Sequence, residues 1–171
     1  MHHKHSGEEF LFYENLDKMC KYDQRQFVIG RLFFDLCVGL YYMHSWQTAH
    51  IDVKPDNTVI SSKDDGKLML IDFNTVEPYE DDTEFESNEV RGTPLFGSPE
   101  SRYKETFHPE KFDMWSLGAT LYTFYYGKIA TDEDFDIEND QIQFEEASEP
   151  ILDLMKGLLE FDPEKRWNWE K

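Results

Sequence analysis

Three side chains of different chemistry lie on one short loop, His50-Ile51-Asp52-Val53-Lys54-Pro55-Asp56-Asn57. Asp52 can orient an attacking hydroxyl, Lys54 can stabilise charge on a moving phosphoryl group, and Asn57 can offer an oxygen ligand to magnesium. This spacing therefore fits phosphoryl transfer. An exposed polar turn is the alternative, because Asp, Lys, Pro and Asn are all common in loops.

A second candidate metal ligand follows the next predicted strand. The apolar run from Leu68 to Ile71, which comes after a predicted hairpin turn over Lys63 to Gly66, ends at Asp72. Carboxylate and amide oxygens suit magnesium, so Asp72 can share a metal ion with Asn57. Two such ligands on consecutive turns are hard to explain as packing, which favours phosphoryl transfer over the polar turn. We expect one magnesium-phosphate position to be surrounded by Asp52, Lys54, Asn57 and Asp72.

These two segments resemble the signature of the eukaryotic protein kinases, which includes a catalytic loop H-R-D-x-x-x-x-N and a D-F-G turn. In the loop, Ile51 replaces the arginine, and in the turn Asn74 replaces the glycine and can stiffen it. Lys54 beside Pro55 is similar to the serine/threonine branch of the family. The signature residues that are kept are His50, Asp52, Asn57, Asp72 and Phe73.

Three further motifs resemble the same family and follow in the family's order. Gly92 to Glu100 is similar to the substrate-docking loop and its A-P-E, and Asp113 to Gly118 is similar to the helix that supports the catalytic loop. Arg166 occupies the place of an arginine that pairs with the glutamate of A-P-E. The resemblance extends from about Phe10 onward, and the segment after Tyr126 faintly resembles calmodulin-dependent kinase kinases.

The resemblance implies a role for each of these residues, with ATP and Mg²⁺ as cofactors and a protein as substrate. Asp52 and Lys54 would be catalytic, and Lys54 would also contact the phosphate of ATP. Thr93 would position the substrate near both of them, although it can also be a site of modification. Val59 would lie beneath the adenine ring, although packing alone would equally select valine there. Metal ligands would be Asn57 and Asp72, and structural support would come from His50, Asp113 and the buried ion pair Glu100-Arg166.

The expected fold is mainly α with a small β-hairpin (α+β), similar to the C-terminal lobe of a kinase without the N-terminal β lobe. Residues 1–9 would form a tail and residues 10–171 the partial kinase domain. The sequence has no G-x-G-x-x-G and no V-A-I-K-type strand. We therefore expect negligible activity unless an N-lobe is supplied. The alternative is a non-catalytic regulator that binds a kinase or its substrate.

Apolar residues at helical spacing predict four helices, and a short strand is predicted over Phe10 to Glu14. The first helix is expected to be mostly buried, with Phe34 in its buried stripe, and residues 132–149 are expected to form a loop. The first helix would run from near Asp23 to near Trp46, and the second from Asp113 to near Tyr126. The third would begin at Ser148 and end before Phe161, and the fourth would begin at Trp167.

The composition restricts the class of partner and compartment. Thirty-six acidic and 17 basic residues give a formal charge of -19, which argues against nucleic-acid binding. It suits basic peptides, and solubility explains it equally well. No apolar stretch is expected to reach the length of a membrane-spanning helix, so no membrane partner is predicted. Cys20 and Cys37 suit core packing in a reducing compartment, so an intracellular protein, cytoplasmic or nuclear, is expected.

Seven acidic residues lie between Val76 and Val90, here called the acidic segment. In many kinases this segment is ordered when an added phosphate meets the arginine of the catalytic loop, but here that position is Ile51. Phosphate on Thr83 or Ser87 would meet like charge instead. We therefore expect that phosphorylation of the acidic segment does not activate the protein.

Overall fold

The computed structural model describes residues 22–61, 66–87, 92–104, 106–131, 134–136 and 139–170, and the side chains of residues 22–25 are excluded. The predicted tail, the strand over Phe10 to Glu14 and Cys20 lie outside the described residues, as do the side chain of Asp23 and the predicted hairpin turn except for Gly66.

The described residues are mainly helical. The second helix is a single turn, and the third packs against the first and the fourth. The helices are α1, Tyr22–Ser45; α2, Glu100–Tyr103; α3, Pro109–Tyr126; and α4, Glu149–Leu158.

Four small antiparallel strand pairs connect the helices in the described residues. The predicted hairpin is present, with Val59 opposite Met69, and the predicted loop at 132–149 contains one two-residue pair. The pairs are β1 (Thr48–Ala49) with β4 (Glu77–Pro78), β2 (Thr58–Ile60) with β3 (Leu68–Leu70), β5 (Phe85–Glu86) with β6 (Thr106–Phe107), and β7 (Phe135–Asp136) with β8 (Gln141–Ile142).

Helix α3 forms the centre of the core, because it is buried on all sides from Phe112 to Tyr125. A helix that is apolar all round is stable only in the interior of a protein. It approaches α4 closely at Gly118, where an added Cβ would lie 2.8 Å from the Cβ of Leu158. Glycine is therefore required at this crossing.

Helix α1 has one buried and one exposed apolar face. Ile29, Leu32, Leu36 and Leu40 pack in the core, but Phe34 is 65% exposed, so the expectation of a mostly buried helix was wrong. The expectation that no stretch reaches membrane-spanning length was also wrong. By length and composition alone the segment Gln26–Ser45 meets that criterion, which core helices of soluble proteins also meet. The exposed face consists of Phe27, Phe34, Val38, Tyr41 and Tyr42, followed by Trp46.

Helix α3 begins four residues before the predicted start at Asp113. Pro109 occupies the first turn, and the ring nitrogen Nδ1 of His108 accepts a hydrogen bond from the backbone N–H of Glu110 at 3.2 Å. Proline suits the first turn because its φ is already helical and it has no N–H to satisfy. Asp113 was the wrong start because its carboxylate caps another segment.

The predicted helix at Trp167 is absent from the described residues up to 170, which form turns instead. The backbone N–H of Trp167 donates to the carbonyl of Gly157 at 2.9 Å, so the chain folds back onto α4. Ser148 precedes α4 as expected, but its side chain makes no capping hydrogen bond.

Candidate active site

The carboxylate of Asp52 accepts hydrogen bonds from three residues. Thr93 donates its backbone N–H and its hydroxyl to Oδ1 at 2.9 and 2.8 Å. Lys54 Nζ lies 2.8 Å from Oδ2, and Asn57 Nδ2 donates to the same oxygen at 2.8 Å. The structure therefore brings together four of the predicted site residues, Asp52, Lys54, Asn57 and Thr93.

The environment of Asp52 favours the ionised carboxylate. Burial raises the pKa of Asp52, but hydrogen bonds from Lys54, Thr93 and Asn57 and the positive charge of Lys54 outweigh burial. The pKa of Asp52 therefore lies below its ordinary value. An ionised Asp52 at neutral pH can accept a hydrogen bond from a hydroxyl and orient it, which is the behaviour that phosphoryl transfer requires.

Thr93 joins Asp52 to Lys54. Lys54 Nζ donates to the hydroxyl oxygen of Thr93 at 2.6 Å, and the same hydroxyl donates to Asp52. The three side chains thus form a closed triangle. A carboxylate offers about four lone-pair sites, and here four donors occupy them. Any further donor must therefore displace one of these four to reach Asp52.

Asn57 is buried and its amide nitrogen is committed to Asp52. Besides the carboxylate, Nδ2 donates to the backbone carbonyl of Asp52 at 2.8 Å. The nitrogen is fully used, so the acceptor that remains on the side chain is the oxygen Oδ1. Amide oxygens are suitable ligands for magnesium, so this orientation fits the predicted metal-binding role.

Asp72 lies beside the cluster along the chain but outside its hydrogen bonds. The backbone N–H of Ile71 donates to the carbonyl of Asn57 at 2.8 Å, which fixes the residue before Asp72 next to the loop. The exposed Asp72 carboxylate accepts from the amide of Asn74. Among the described residues, no hydrogen bond joins this carboxylate to Asp52, Lys54 or Asn57.

Backbone strain in this turn lies at Asp72, which has a left-handed φ of 62°. Asn74, the predicted stiff position, lies within a 3₁₀ turn instead. Among the described residues, no group of three or more His, Cys, Asp or Glu side chains can hold a metal ion. A magnesium site needs no such group, because one or two protein ligands commonly suffice beside phosphates and water. The donor set of Asn57 and Asp72 is consistent with Mg²⁺.

His50 joins the catalytic loop to the end of β3. Its ring is fully buried, and Nδ1 accepts from the backbone N–H of Asp52 at 3.3 Å. Because Nδ1 accepts, Nε2 carries the hydrogen and donates to the carbonyl of Ile71 at 3.2 Å. The ring also meets Phe73 edge-on, with centroids 5.5 Å apart. These contacts place His50 under the Asp72 turn, as expected for a structural residue.

Asp113 holds the backbone of the loop from below. Its carboxylate accepts from the N–H groups of His50 and Ile51 at 2.6 and 2.8 Å. Ile51 has a left-handed φ of 65°, which is rare for a β-branched residue and is maintained only by surrounding contacts. Gly92 approaches it so closely that an added Cβ would lie 2.2 Å from the carbonyl oxygen of Ile51.

Glu100 and Arg166 form a buried, two-pronged ion pair. Nη1 lies 2.5 Å from Oε1, and Nη2 donates to Oε2 at 2.8 Å. The guanidinium also donates to the carbonyls of Lys111 and Glu160 and lies over the ring of Trp115. Arg166 therefore ties α2 to α3 and to the segment after α4.

Of two further residues near the site, Val59 was predicted from the sequence and His44 was missed. Val59 lies half-buried on β2, directly after the loop, as the hairpin pattern predicts. His44 was missed as a neighbour of the site, although its Nε2 lies 3.0 Å from Oδ2 of Asp113. Its place four residues after Leu40, on the buried stripe of α1, is the signal that could have found it.

Comparisons with known proteins identify the family and relatives of this chain. The protein kinase domain family matches residues 6–171. A calcium/calmodulin-dependent protein kinase kinase of Caenorhabditis elegans is 35% identical over 146 residues, which cover 78% of this chain and 26% of that protein. Serine/threonine-protein kinase GRIK1 of Arabidopsis thaliana is 31% identical over 139 residues, with 77% and 34% covered.

Serine/threonine-protein kinase STK11 of Gallus gallus is 34% identical over 148 residues, with 80% of this chain and 32% of that protein covered. The chain thus spans about a quarter to a third of the length of these relatives. The motif order, the kinase-like fold and the family match confirm the predicted family: the chain belongs to the eukaryotic protein kinases.

Proposed function

We propose that this chain is the catalytic half of a serine/threonine protein kinase. It would transfer a phosphoryl group from Mg-ATP to a serine or threonine hydroxyl of a protein substrate when an N-lobe is available. The observation that carries the proposal is the arrangement around Asp52. Lys54, Asn57 and Thr93 hold one ionised carboxylate at the mouth of the loop.

Each residue of the arrangement has a task in this reaction. Asp52 accepts a hydrogen bond from the substrate hydroxyl and directs its lone pair at the phosphorus. Lys54 supplies a positive charge for the transferred phosphoryl group. Asn57 and Asp72 would hold Mg²⁺, which neutralises phosphate charge when bound. Thr93 holds Asp52 through its backbone N–H and its hydroxyl.

Substrate entry requires a rearrangement of the triangle. All acceptor sites of Asp52 are occupied, and Lys54 is the donor with the most flexible side chain. Movement of Lys54 from Oδ2 of Asp52 toward a phosphate oxygen would free a site for the substrate hydroxyl. Substrate and nucleotide would therefore enter the site cooperatively.

An N-lobe or a partner kinase completes the site in this proposal. No glycine-rich phosphate loop is found in the sequence, and such a loop normally covers the phosphates in a kinase. The relatives are roughly three to four times longer than the matched segment. An intracellular location, cytoplasmic or nuclear, suits an ATP-dependent reaction and reduced cysteines.

A non-catalytic regulator of a kinase is the second candidate. The absence of a glycine-rich loop and a strand lysine from the sequence favours it. The complete cluster at Asp52 favours the enzyme, because a regulator has no need of four donors around one carboxylate.

The test is phosphoryl transfer to a protein substrate, with the N-terminal half of the Caenorhabditis elegans relative supplied. Asp52→Asn should lower the transfer rate by about 10²- to 10⁴-fold, because the hydroxyl loses its anionic acceptor. Asp153→Asn, which removes an exposed carboxylate on α4, is the matched control and should leave the rate unchanged. Equal rates for both variants, or binding of the added half without transfer, would favour the regulator.

A further inference from the structure

We propose that Trp169 is a positioning residue for the catalytic loop and acts through His44 and Asp113. The proposal rests on the proposed function only where it calls the loop catalytic, since the contacts themselves are independent of the reaction. The motifs of the family assign a role to Asp113 and none to Trp169.

A continuous series of hydrogen bonds connects Trp169 to the backbone of the catalytic loop. The indole nitrogen Nε1 of Trp169 lies 2.8 Å from Nδ1 of His44. Nε2 of His44 lies 3.0 Å from Oδ2 of Asp113. Asp113 in turn accepts from the backbone N–H groups of His50 and Ile51.

The chemistry of the indole gives this series one direction. An indole N–H can only donate, so Nδ1 of His44 must accept. The hydrogen of the neutral imidazole then resides on Nε2, which donates to Asp113. In the opposite tautomer two hydrogens would face each other at Trp169, and two lone pairs would face each other at Asp113. Trp169 therefore selects the form of His44 that supports Asp113.

Burial makes this selection important. His44 is 6% exposed and Asp113 is fully buried, so neither can replace a lost partner with bulk water. A buried polar group that loses its partner is costly. Asp113 also holds Ile51 in a left-handed conformation, so a loosened carboxylate would release strain next to Asp52.

The ring of Trp169 is held independently of its N–H group. It meets the rings of Tyr41 and His44 edge-on, with centroid distances of 5.5 Å in both cases. Trp169→Phe can keep much of this packing while removing the donor. Trp167→Phe is the matched control, because it also removes an indole N–H, two residues away, and the ring of Trp167 packs on Gly157.

The first measurement needs no variant. In the full chain labelled with ¹⁵N, a scalar coupling across the N–H···N bond should join Nε1 of Trp169 to Nδ1 of His44. The imidazole should show its hydrogen on Nε2. A hydrogen on Nδ1, or no coupling between the two nitrogens, would overturn the proposal.

The second measurement is hydrogen exchange at the amides of His50 and Ile51, normalised to the amides of α3. Trp169→Phe should accelerate this exchange about fivefold, as expected for the loss of roughly one hydrogen bond of support. Trp167→Phe should leave the normalised exchange unchanged. Equal effects of the two variants, or none, would contradict a positioning role.

Phosphoryl transfer separates this proposal from the proposed function. If the loop is catalytic, Trp169→Phe assayed with the N-lobe supplied should lower kcat about fivefold, with little change in the KM for ATP. Altered exchange without any transfer by the wild-type chain, even with the N-lobe supplied, would support the positioning role and refute the kinase. Transfer with the wrong histidine tautomer would support the kinase and refute the positioning role.

Discussion

At the scale of single residues, contacts between residues close together in the sequence were predictable, and some contacts between residues far apart were missed. Asp52, Lys54 and Asn57 lie within one loop, so their types and spacing predict that they meet. Trp169 and His44 are 125 positions apart, and no local pattern connects them. Asp72 was predicted to share a metal ion with Asn57, which stays a prediction, and its carboxylate accepts a hydrogen bond from the amide of Asn74.

Asp134 shows how hydrogen bonds lower a carboxyl pKa outside the site. Burial raises the pKa of Asp134, but donors from Thr131, Lys128 and Tyr122 outweigh it and lower the pKa from 3.8 to about 2. The ionised form therefore stabilises the folded chain fully above the ordinary pKa, and this contribution is lost as the pH falls toward the folded pKa.

We expect Asp134→Asn to lower the free energy of unfolding by about 1–2 kcal/mol at neutral pH. The ion pair with the exposed Lys128 should contribute little to this difference. The difference from the wild type should narrow as the pH falls from about 4 to about 2, because the wild type loses its ionised carboxylate there. Urea unfolding over a pH series measures both effects. A difference that widens on acidification would contradict the assignment.

At the scale of secondary structure, helix existence was easier to predict than helix boundaries and exposure. Periodic apolar residues predicted α1, α3 and α4, and all three are present. The start of α3 was misplaced because Asp113 was expected both to open the helix and to support the catalytic loop, and the structure shows only the second. The exposed side of α1 could not be predicted, because apolar residues occupy both of its faces.

Glycines in two helices should respond in opposite ways to alanine. At Gly118 a Cβ would lie 2.8 Å from Leu158 and force α3 from α4, so Gly118→Ala should cost about 1–3 kcal/mol. At Gly39 nothing lies within 4 Å of an added Cβ, so Gly39→Ala should stabilise α1 by about 0.5–1 kcal/mol. Chemical unfolding compares the two variants, and a loss at Gly39 equal to that at Gly118 would refute the packing argument.

The acidic segment packs on the body through apolar contacts. Ile51 is 3% exposed and belongs to a buried cluster with Tyr79, Phe107 and Phe112, against which Phe85 packs. Tyr79 and Phe85 come from the acidic segment itself. Apolar packing thus occupies the position where many kinases pair an arginine with a phosphate.

Loss of the phosphorylatable hydroxyls should therefore leave transfer intact. We expect Thr83→Ala and Ser87→Ala to retain at least half of the wild-type transfer rate once the N-terminal half of a relative is supplied. The reason is that position 51 is isoleucine and offers no positive charge to pair with a phosphate. Ile51→Ala tests the packing instead. It should lower the free energy of unfolding by about 2–5 kcal/mol, which thermal unfolding would show as a lower Tm. Inactivation by either hydroxyl substitution would count against this expectation.

At the scale of the whole molecule, the family and the general fold were predictable, because five motifs in a fixed order identify both. Connections between distant segments were predictable only where a motif spans them, as with Glu100 and Arg166. The formal charge of -19 is a property of the surface and left the arrangement of the core undetermined.

The buried pair of Glu100 and Arg166 should be costly to break from one side. Glu100→Gln removes the charge that Arg166 needs in the interior and should cost about 3–5 kcal/mol. Glu164→Gln, which alters an exposed acid nearby, is the control and should be close to neutral. Guanidinium-induced unfolding measures both, and a small effect of Glu100→Gln would mean that the interior tolerates an unpaired guanidinium.

The separation of Glu100 from its cation has a consequence for biosynthesis. Arg166 follows Glu100 by 66 residues, so a ribosome adding about 5–20 residues per second needs roughly 3–13 seconds to supply it. Until then the nascent carboxylate has nothing to offset its dehydration and should stay in contact with water. The region around Glu100 is therefore expected to be among the last parts of the nascent chain to fold. Until then it should remain accessible to chaperones.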